Sequence, residues 1–489
     1  MFCSLNSWWR MKKKLSFDYH PKTTPMSHQI EAIEFIKKND IVPLFDEQGL
    51  GKSKEVIDAL CSNIETGKIE GSLIICKKSL IYTWKNEILK HSHLFPVIIS
   101  GNKNIRGKSY LTYGQFYIIN YETLIEDKEL IELLLKNKNF AIVLDESQKI
   151  KNPNAKTTLA VLYFKDMAKK KIIITGTPIA NRPEDIWSQF YFLDGGKLLG
   201  DNFNDFKKKY HLDLKGKLSL IQYNKILSEL RKKISEVAIR RTKNILDLPE
   251  KKYINVVIDL DSEQQNIYDT AKRELYYLIK DTENKKVIEE IDNYLVKLLR
   301  LTQIASNPSL IIDSFEGTPS KFLKLDDLVK NIIAKNEKVI VWTSFRKNIR
   351  TLRKRYTTYG ALMLFGEIPI ERRNTIVNNF MVNPKNKILI ANPAAAKEGL
   401  TLTSANNAIY LDRNFKMDDY LQSQDRIHRI SQKKRCNIIK IIARKTIDEY
   451  TDEILEKKEL VAKFALSDSD KLDLDRSPLS KNDLLEILG

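Results

Sequence analysis

The chain has 489 residues, 42% of them hydrophobic, which is too long for one ordinary core and enough for two or three domains. Lysine and arginine outnumber aspartate and glutamate by 82 to 63, a formal charge of +19 that favours a polyanionic partner, nucleic acid before membrane. No apolar run is long enough to span a bilayer, and four cysteines without a C-x-x-C pair argue against a disulfide framework or a zinc site.

The first residues, "MFCSLNSWWRMKKKLSF", carry their charges after their apolar side chains, the reverse of a signal peptide. Residues 1–25 read as an N-terminal extension. "VPLF" (residues 42–45) reads as a short strand and "KEVIDAL" has helical spacing, so residues 46–53, "DEQGLGKS", join a strand to a helix. That is the setting of a phosphate-binding loop, although the pattern G-x-x-x-x-G-K-[ST] needs a glycine where Asp46 stands. Gly49 and Gly51 would let the backbone approach phosphate, Lys52 would reach the outer phosphates and Ser53 would ligand Mg²⁺. By itself the run reads equally well as an amphipathic helix that opens Gly-Lys-Ser.

Further on, short apolar runs alternate with helical patterns, the sign of parallel sheets covered by helices. "SLIIC" (72–76), "FYIIN" (116–120), "FAIVLDE" (140–146) and "KIIITGT" (171–177) are expected strands. "AIVLDESQKIKN" sets Asp145 and Glu146 at the C-terminal end of a buried strand, where a parallel sheet carries its ligand. Asp145 is placed to hold Mg²⁺ and Glu146 to polarise an attacking water. From about 195 to 335 the pattern is helical and charged, with basic clusters at 207–209 and 231–233. A second series of strands follows: "KVIVWTSF" (338–345), "KILIANP" (387–393), "NAIYLDR" (407–413) and "NIIKIIA" (437–443). "QSQDRIHRISQ" (422–432) spaces Arg426 and Arg429 three apart, on one face of a helix, as candidate donors of positive charge to a phosphoryl transition state.

In this order and spelling the motifs resemble the Swi/Snf-like branch of the superfamily-two helicases, over residues 27 to about 464. "SHQIEAIEF" resembles the adenine-reading motif, with Gln29 as reader. "DEQGLGKS" resembles that branch's phosphate loop, which also begins Asp-Glu, so the resemblance implies ATP contacts from Asp46, Glu47, Gly49, Leu50, Gly51, Lys52 and Ser53. "ITGTPIANRPEDIWSQFYFL" carries the T-G-T-P-I-x-N spelling of the branch, and "AIRRTKNILDLPEK" resembles its linker. The resemblance implies DNA contacts from Lys77, Lys78, Tyr121, Thr343, Thr401 and Thr403. It implies coupling roles for Thr175, Gly176, Thr177, Gly399, Gln422 and Gln148, the last standing where the branch usually has histidine. "AAAKEGLTLTSA" is spelled closer to the annealing-helicase subgroup than to nucleosome remodellers.

What the resemblance implies is an α/β protein of two tandem RecA-like parallel-sheet lobes with helical insertions, using ATP and Mg²⁺. It implies translocation on duplex or branched DNA, with branch migration, fork regression or annealing as the outcome. Expected boundaries are a first lobe at 26–245 with a helical protrusion at about 199–236, a second lobe with its linker at 246–465, and a polar tail at 466–489. A location in the cytoplasm of a bacterial or phage-infected cell, or in a host cell interior, is expected rather than secretion, with a monomer favoured and replication or recombination proteins as candidate partners. The rival readings are an unwinding helicase on RNA or single strands, and the motor of a restriction or defence complex.

Overall fold

The computed structural model describes residues 21–179, 182–210, 220–281, 291–398 and 400–466. Their strands form two six-stranded parallel sheets. The first contains β1 (Ile41–Leu44), β2 (Gly71–Cys76), β3 (Pro96–Ile98), β4 (Phe116–Asn120), β5 (Phe140–Asp145) and β6 (Lys171–Ile174), in the order β1-β6-β5-β2-β4-β3. The second contains β7 (Lys251–Ile258), β8 (Val339–Trp342), β9 (Leu362–Leu364), β10 (Ile388–Ala391), β11 (Asn407–Tyr410) and β12 (Cys436–Ala443), in the order β7-β12-β11-β8-β10-β9.

Helices cover both faces of such a sheet, which is why β2, β4, β8, β10 and β11 are buried at every position and read as continuous apolar runs. Val42, Leu44, Val56, Ile74, Ile118, Val143 and Ile172 meet in the core of the first sheet. Val339, Val341, Ile349, Ile388, Ile390, Ile409 and Ile441 do so in the second. A third cluster, including Tyr268, Leu275, Leu301, Ile447 and Ile454, packs the helices Ser262–Asp281, Ile291–Ser306 and Ile447–Ala465 together.

The chain divides into two compact units, Met1–Pro178 with Ile186–Phe203 and Val237–Arg241, and Ile179–Asp185 with Asn204–Glu236 and Thr242–Gly489. Residues 204–236, expected as a protrusion of the first lobe, group with the second unit, where the helix Leu220–Ser235 packs on the helix Ile447–Ala465. β7 lies inside the stretch expected to be helical; its alternate residues face solvent, so charge masks its strand pattern. The very short β3 and β9 were also outside the expected strands. Residues 1–20 and 467–489 lie outside the described residues. No helix among the described residues is long and apolar enough to cross a membrane.

Candidate nucleotide site and candidate DNA contacts

In the first sheet β6 lies between β1 and β5, so the segments leaving their C-terminal ends emerge side by side. These are the glycine loop after Leu44, the T-G-T turn after Ile174 and the Asp145-Glu146 pair. The loop turns through Gly49 and Gly51, with φ of 97° and 93°, a left-handed region that side chains disfavour. A Cβ on Gly51 would also fall 2.2 Å from Gln29 Nε2. The helix Lys52–Glu65 starts directly after Gly51, so its first free amides belong to Lys52 and Ser53.

Lys52 Nζ donates to the carbonyls of Asp46 (2.6 Å) and Glu47 (3.0 Å). Burial pulls its ammonium below the ordinary lysine range, and the carboxylates of Asp46, Glu146, Glu55 and Asp145 oppose that shift. Gln29 accepts from the Met26 amide (2.9 Å) and donates to the Leu50 carbonyl (3.2 Å), so both ends of its amide are engaged. Gly176 packs so closely on the loop that a Cβ there would lie 2.9 Å from Gln48 Cγ. Thr175 Oγ1 accepts from the Thr177 amide at 3.0 Å, closing that turn.

Asp145 accepts from Trp84 Nε1 (2.8 Å) and from the Glu146 amide (2.9 Å). Burial, and after it the adjacent Glu146 carboxylate, push the Asp145 carboxyl up to about 6. Glu146 has φ of 53°, a strained conformation for a residue with a side chain. Its carboxylate lies 3.5 Å from Lys77 Nζ and accepts from Gln148 Nε2. The residue in the usual histidine's place is thus bonded to Glu146 itself. The next residue, Ser147, donates to Gln189 (2.7 Å), which donates to the Pro178 carbonyl (2.8 Å), tying the acidic pair to the end of T-G-T-P.

The structure places several of the expected contact residues elsewhere. Asp46 is fully buried and its carboxylate is taken by Arg241, with Nε–Oδ2 at 3.0 Å, so it does not face a phosphate. Tyr121 is buried and its hydroxyl donates to the Asp145 carbonyl (2.9 Å) rather than facing a DNA strand. Thr343 is fully buried and its hydroxyl donates to Asp412 (2.5 Å), inside the second core. Arg426 and Arg429 do not lie on a helix: Met417–Gln424 ends before them, and both sit in the turn that follows.

In that turn Arg426 is buried and donates to the Leu400 carbonyl (3.4 Å). Arg429 donates from Nε to the Asp425 carbonyl (3.3 Å) and from Nη1 to Thr401 Oγ1 (2.9 Å), joining an expected DNA contact to an expected catalytic arginine. Thr403 Oγ1 lies 2.8 Å from Ser431 Oγ, Gln422 is buried, and Lys78 is exposed. Among the basic clusters, Lys209 pairs with Glu229 at 2.7 Å and Arg231 stacks over Phe464. Gly399 lies outside the described residues.

Trp84, Gln189, Arg240 and Arg241 were not singled out in the sequence as site residues. The two arginines were visible only as part of a linker.

The SNF2-related domain profile matches residues 28–310, more than half of the chain. The chain belongs to the SNF2-related family. The helicase conserved C-terminal domain matches residues 320–431 of this SNF2-related chain. An uncharacterized ATP-dependent helicase of Mycoplasma genitalium, MG018, is 30% identical over 93% of this chain and 43% of its own length. A putative ATP-dependent helicase/translocase of Bacillus subtilis, YwqA, is 28% identical over 85% of this chain and 45% of its own length. The human DNA annealing helicase and endonuclease ZRANB3 is 26% identical over 92% of this chain and 41% of its own length. The chain therefore spans less than half the length of these curated relatives.

Proposed function

We propose that the chain is an ATP-driven DNA translocase, with ATP bound by the loop of residues 46–53 and hydrolysed beside Asp145 and Glu146. The observation that carries this reading is the meeting of three segments on one edge of the first sheet. The glycine loop with Lys52 and Ser53, the acidic pair and the T-G-T turn all leave adjacent parallel strands there. The helicase names of the relatives support the same reading.

Lys52 releases the two loop carbonyls and meets the outer phosphates; Gly49 and Gly51 let the backbone close on them. Glu146 accepts a proton from the attacking water, held in place by Lys77 and Gln148. Ser53 and Asp145 would hold Mg²⁺. They fit it: a hydroxyl and a carboxylate are hard oxygen donors, and two adjacent acids, one of them pushed up to about 6, are relieved by a dication. Bound with nucleotide, the ion would neutralise phosphate charge. Arg426 and Arg429 are the proposed donors of positive charge to the transition state.

DNA as the track is supported by the charge of +19 and by the DNA annealing helicase among the relatives. Lys77, Lys78, Thr401 and Thr403 remain its proposed contacts in this chain, and Gly176, Thr175, Thr177, Gln148, Gly399 and Gln422 the proposed coupling residues. The spelling of residues 394–405 favours branched DNA, with fork regression or annealing as the outcome. ATPase rates on duplex, four-way junction, single-stranded DNA and RNA, measured side by side, test the reading. Duplex and junction should stimulate at least as well as single strands, and RNA poorly. Equal stimulation by RNA, with no junction movement, would promote an RNA helicase instead.

A further inference from the structure

Asp46 stands where a phosphate loop ordinarily has glycine, and a fully buried carboxylate needs a partner. That partner is Arg241, 195 residues further along the chain. Residues 237–241 run parallel to β1 on its free edge: the Ile239 amide donates to the Pro43 carbonyl (3.1 Å), and the Phe45 amide to the Ile239 carbonyl (2.9 Å). Pro43 lacks an amide, so only an edge strand could hold it, and its carbonyl is used by this added segment. The Glu47 amide donates to the Arg241 carbonyl (2.9 Å), so the pairing continues into the phosphate loop.

The side chains tighten this joint. The Arg241 amide donates to Asp46 Oδ1 (2.8 Å), its Nε to both carboxylate oxygens (3.2 and 3.0 Å), its Nη2 to Glu55 (3.0 Å), and its Nη1 to the His28 carbonyl. Arg240 donates to the carbonyls of Phe45 and Gly176, the latter at 3.1 Å, so it holds the T-G-T turn as well. One guanidinium thus bridges the two buried carboxyl groups of Asp46 and Glu55. Asp46 and Glu47 are also the residues whose carbonyls hold Lys52. The backbone that aims Lys52 is therefore fixed by Arg241.

Two residues later, Lys243 belongs to the second unit and is bonded within it. Lys243, buried, donates to Asp425 (2.6 Å) and to the His428 carbonyl (3.1 Å). Asp425 precedes Arg426, and its carbonyl accepts from Arg429. Burial alone would raise the Asp425 carboxyl, but Lys243 and Lys251 overcome it and hold it well below the usual carboxylate range. The turn that carries both arginines is thus fixed by Lys243, and the chain passes from one unit to the other between Arg241 and Thr242.

We propose that Arg241 and Lys243 are paired positioning residues of ATP hydrolysis, Arg241 setting the phosphate loop that aims Lys52 and Lys243 setting the turn that aims Arg426 and Arg429. The proposal rests on the reading of the nucleotide site given above. Lys52 acts on bound ATP, whereas the arginines act on the transition state, so the two substitutions have opposite kinetic signatures.

The test is steady-state ATPase of the full chain at saturating duplex DNA, with thermal midpoints measured in parallel. Arg241→Gln should raise the ATP KM about tenfold or more while keeping at least about a third of kcat. Lys243→Met should lower kcat about tenfold or more with KM within about threefold, and Lys243→Arg should recover most of that loss. Where either variant fails to fold, Asp46→Asn or Asp425→Asn replaces it, with the same signature expected. If both variants shift KM and kcat alike, or shift neither, the two residues are structural ion pairs and the proposal is overturned. Glu146→Gln measured beside them separates the two levels. Wild-type hydrolysis in Glu146→Gln removes the nucleotide site itself, whereas its loss with unchanged Arg241→Gln and Lys243→Met removes only the positioning role.

Discussion

Gly51 is held to glycine twice over, by a φ of 93° and by the Gln29 amide 2.2 Å from where a Cβ would stand. Gly51→Ala should destabilise the first unit by about 1–2 kcal/mol from the left-handed backbone alone. Its ATP affinity should fall as well, because Gln29 must leave the Leu50 carbonyl. Thermal melts with a nucleotide titration check this, and an unchanged midpoint with unchanged affinity would contradict the geometry. Lys52→Ala should weaken ATP binding, read as a raised KM, because its cation is what the loop offers the outer phosphates. The glycines, Lys52, Asp145 and Glu146 were legible in the sequence because each is demanded locally, by a turn or a strand end. Arg241 was not, since its ion pair with Asp46 spans 195 residues and leaves no periodic trace. The burial of Tyr121 and Thr343 was equally hidden: a hydroxyl after a strand reads alike whether it faces a phosphate or a carbonyl.

The strands of both sheets could be read because burial on two faces writes an unbroken apolar run, as in β2 and β8. β7 could not, because its exposed residues include Lys252, Tyr253, Asn255 and Val257, in a charged segment dominated by helices. Helical spacing of Arg426 and Arg429 was likewise misleading, because the chain leaves the helix at Gln424. The turn that follows carries its own pH signature. Burial, and after it Lys251, pull the His428 imidazole down from 6.5 to about 4, although its bond to the Pro249 carbonyl opposes this. Between those two values the unfolded chain takes up a proton that the folded turn refuses, so stability falls on acidification from about pH 6.5 toward pH 4. Melting midpoints of wild type and His428→Gln at pH 7.5 and pH 5 test it. The wild type should lose more stability than the variant, and equal losses would place His428 in a solvated setting. Arg429→Ala should lower the ATPase maximum by about two orders of magnitude or more, with little change in ATP affinity.

At the scale of the whole molecule, two parallel sheets, each with its own core, give a phosphate loop in one unit, held by Arg241, and an arginine turn in the other, held by Lys243. The excess of 82 basic over 63 acidic residues bears on the track rather than the fold. A grip on about six to ten phosphates weakens roughly 10³–10⁵-fold between about 50 and 200 mM salt. The DNA concentration giving half-maximal ATPase should therefore rise steeply over that range, with little dependence on sequence; a flat salt response would remove phosphate contacts as the main grip. The central claim is that the acidic pair beside the glycine loop performs DNA-stimulated ATP hydrolysis. It is tested most directly by the hydrolysis rate of Glu146→Gln beside wild type, at saturating duplex DNA and ATP. The account predicts a fall of about 10²–10⁴-fold, the contribution of a positioned general base, in a variant that still binds ATP. A variant hydrolysing ATP at the wild-type rate would contradict it.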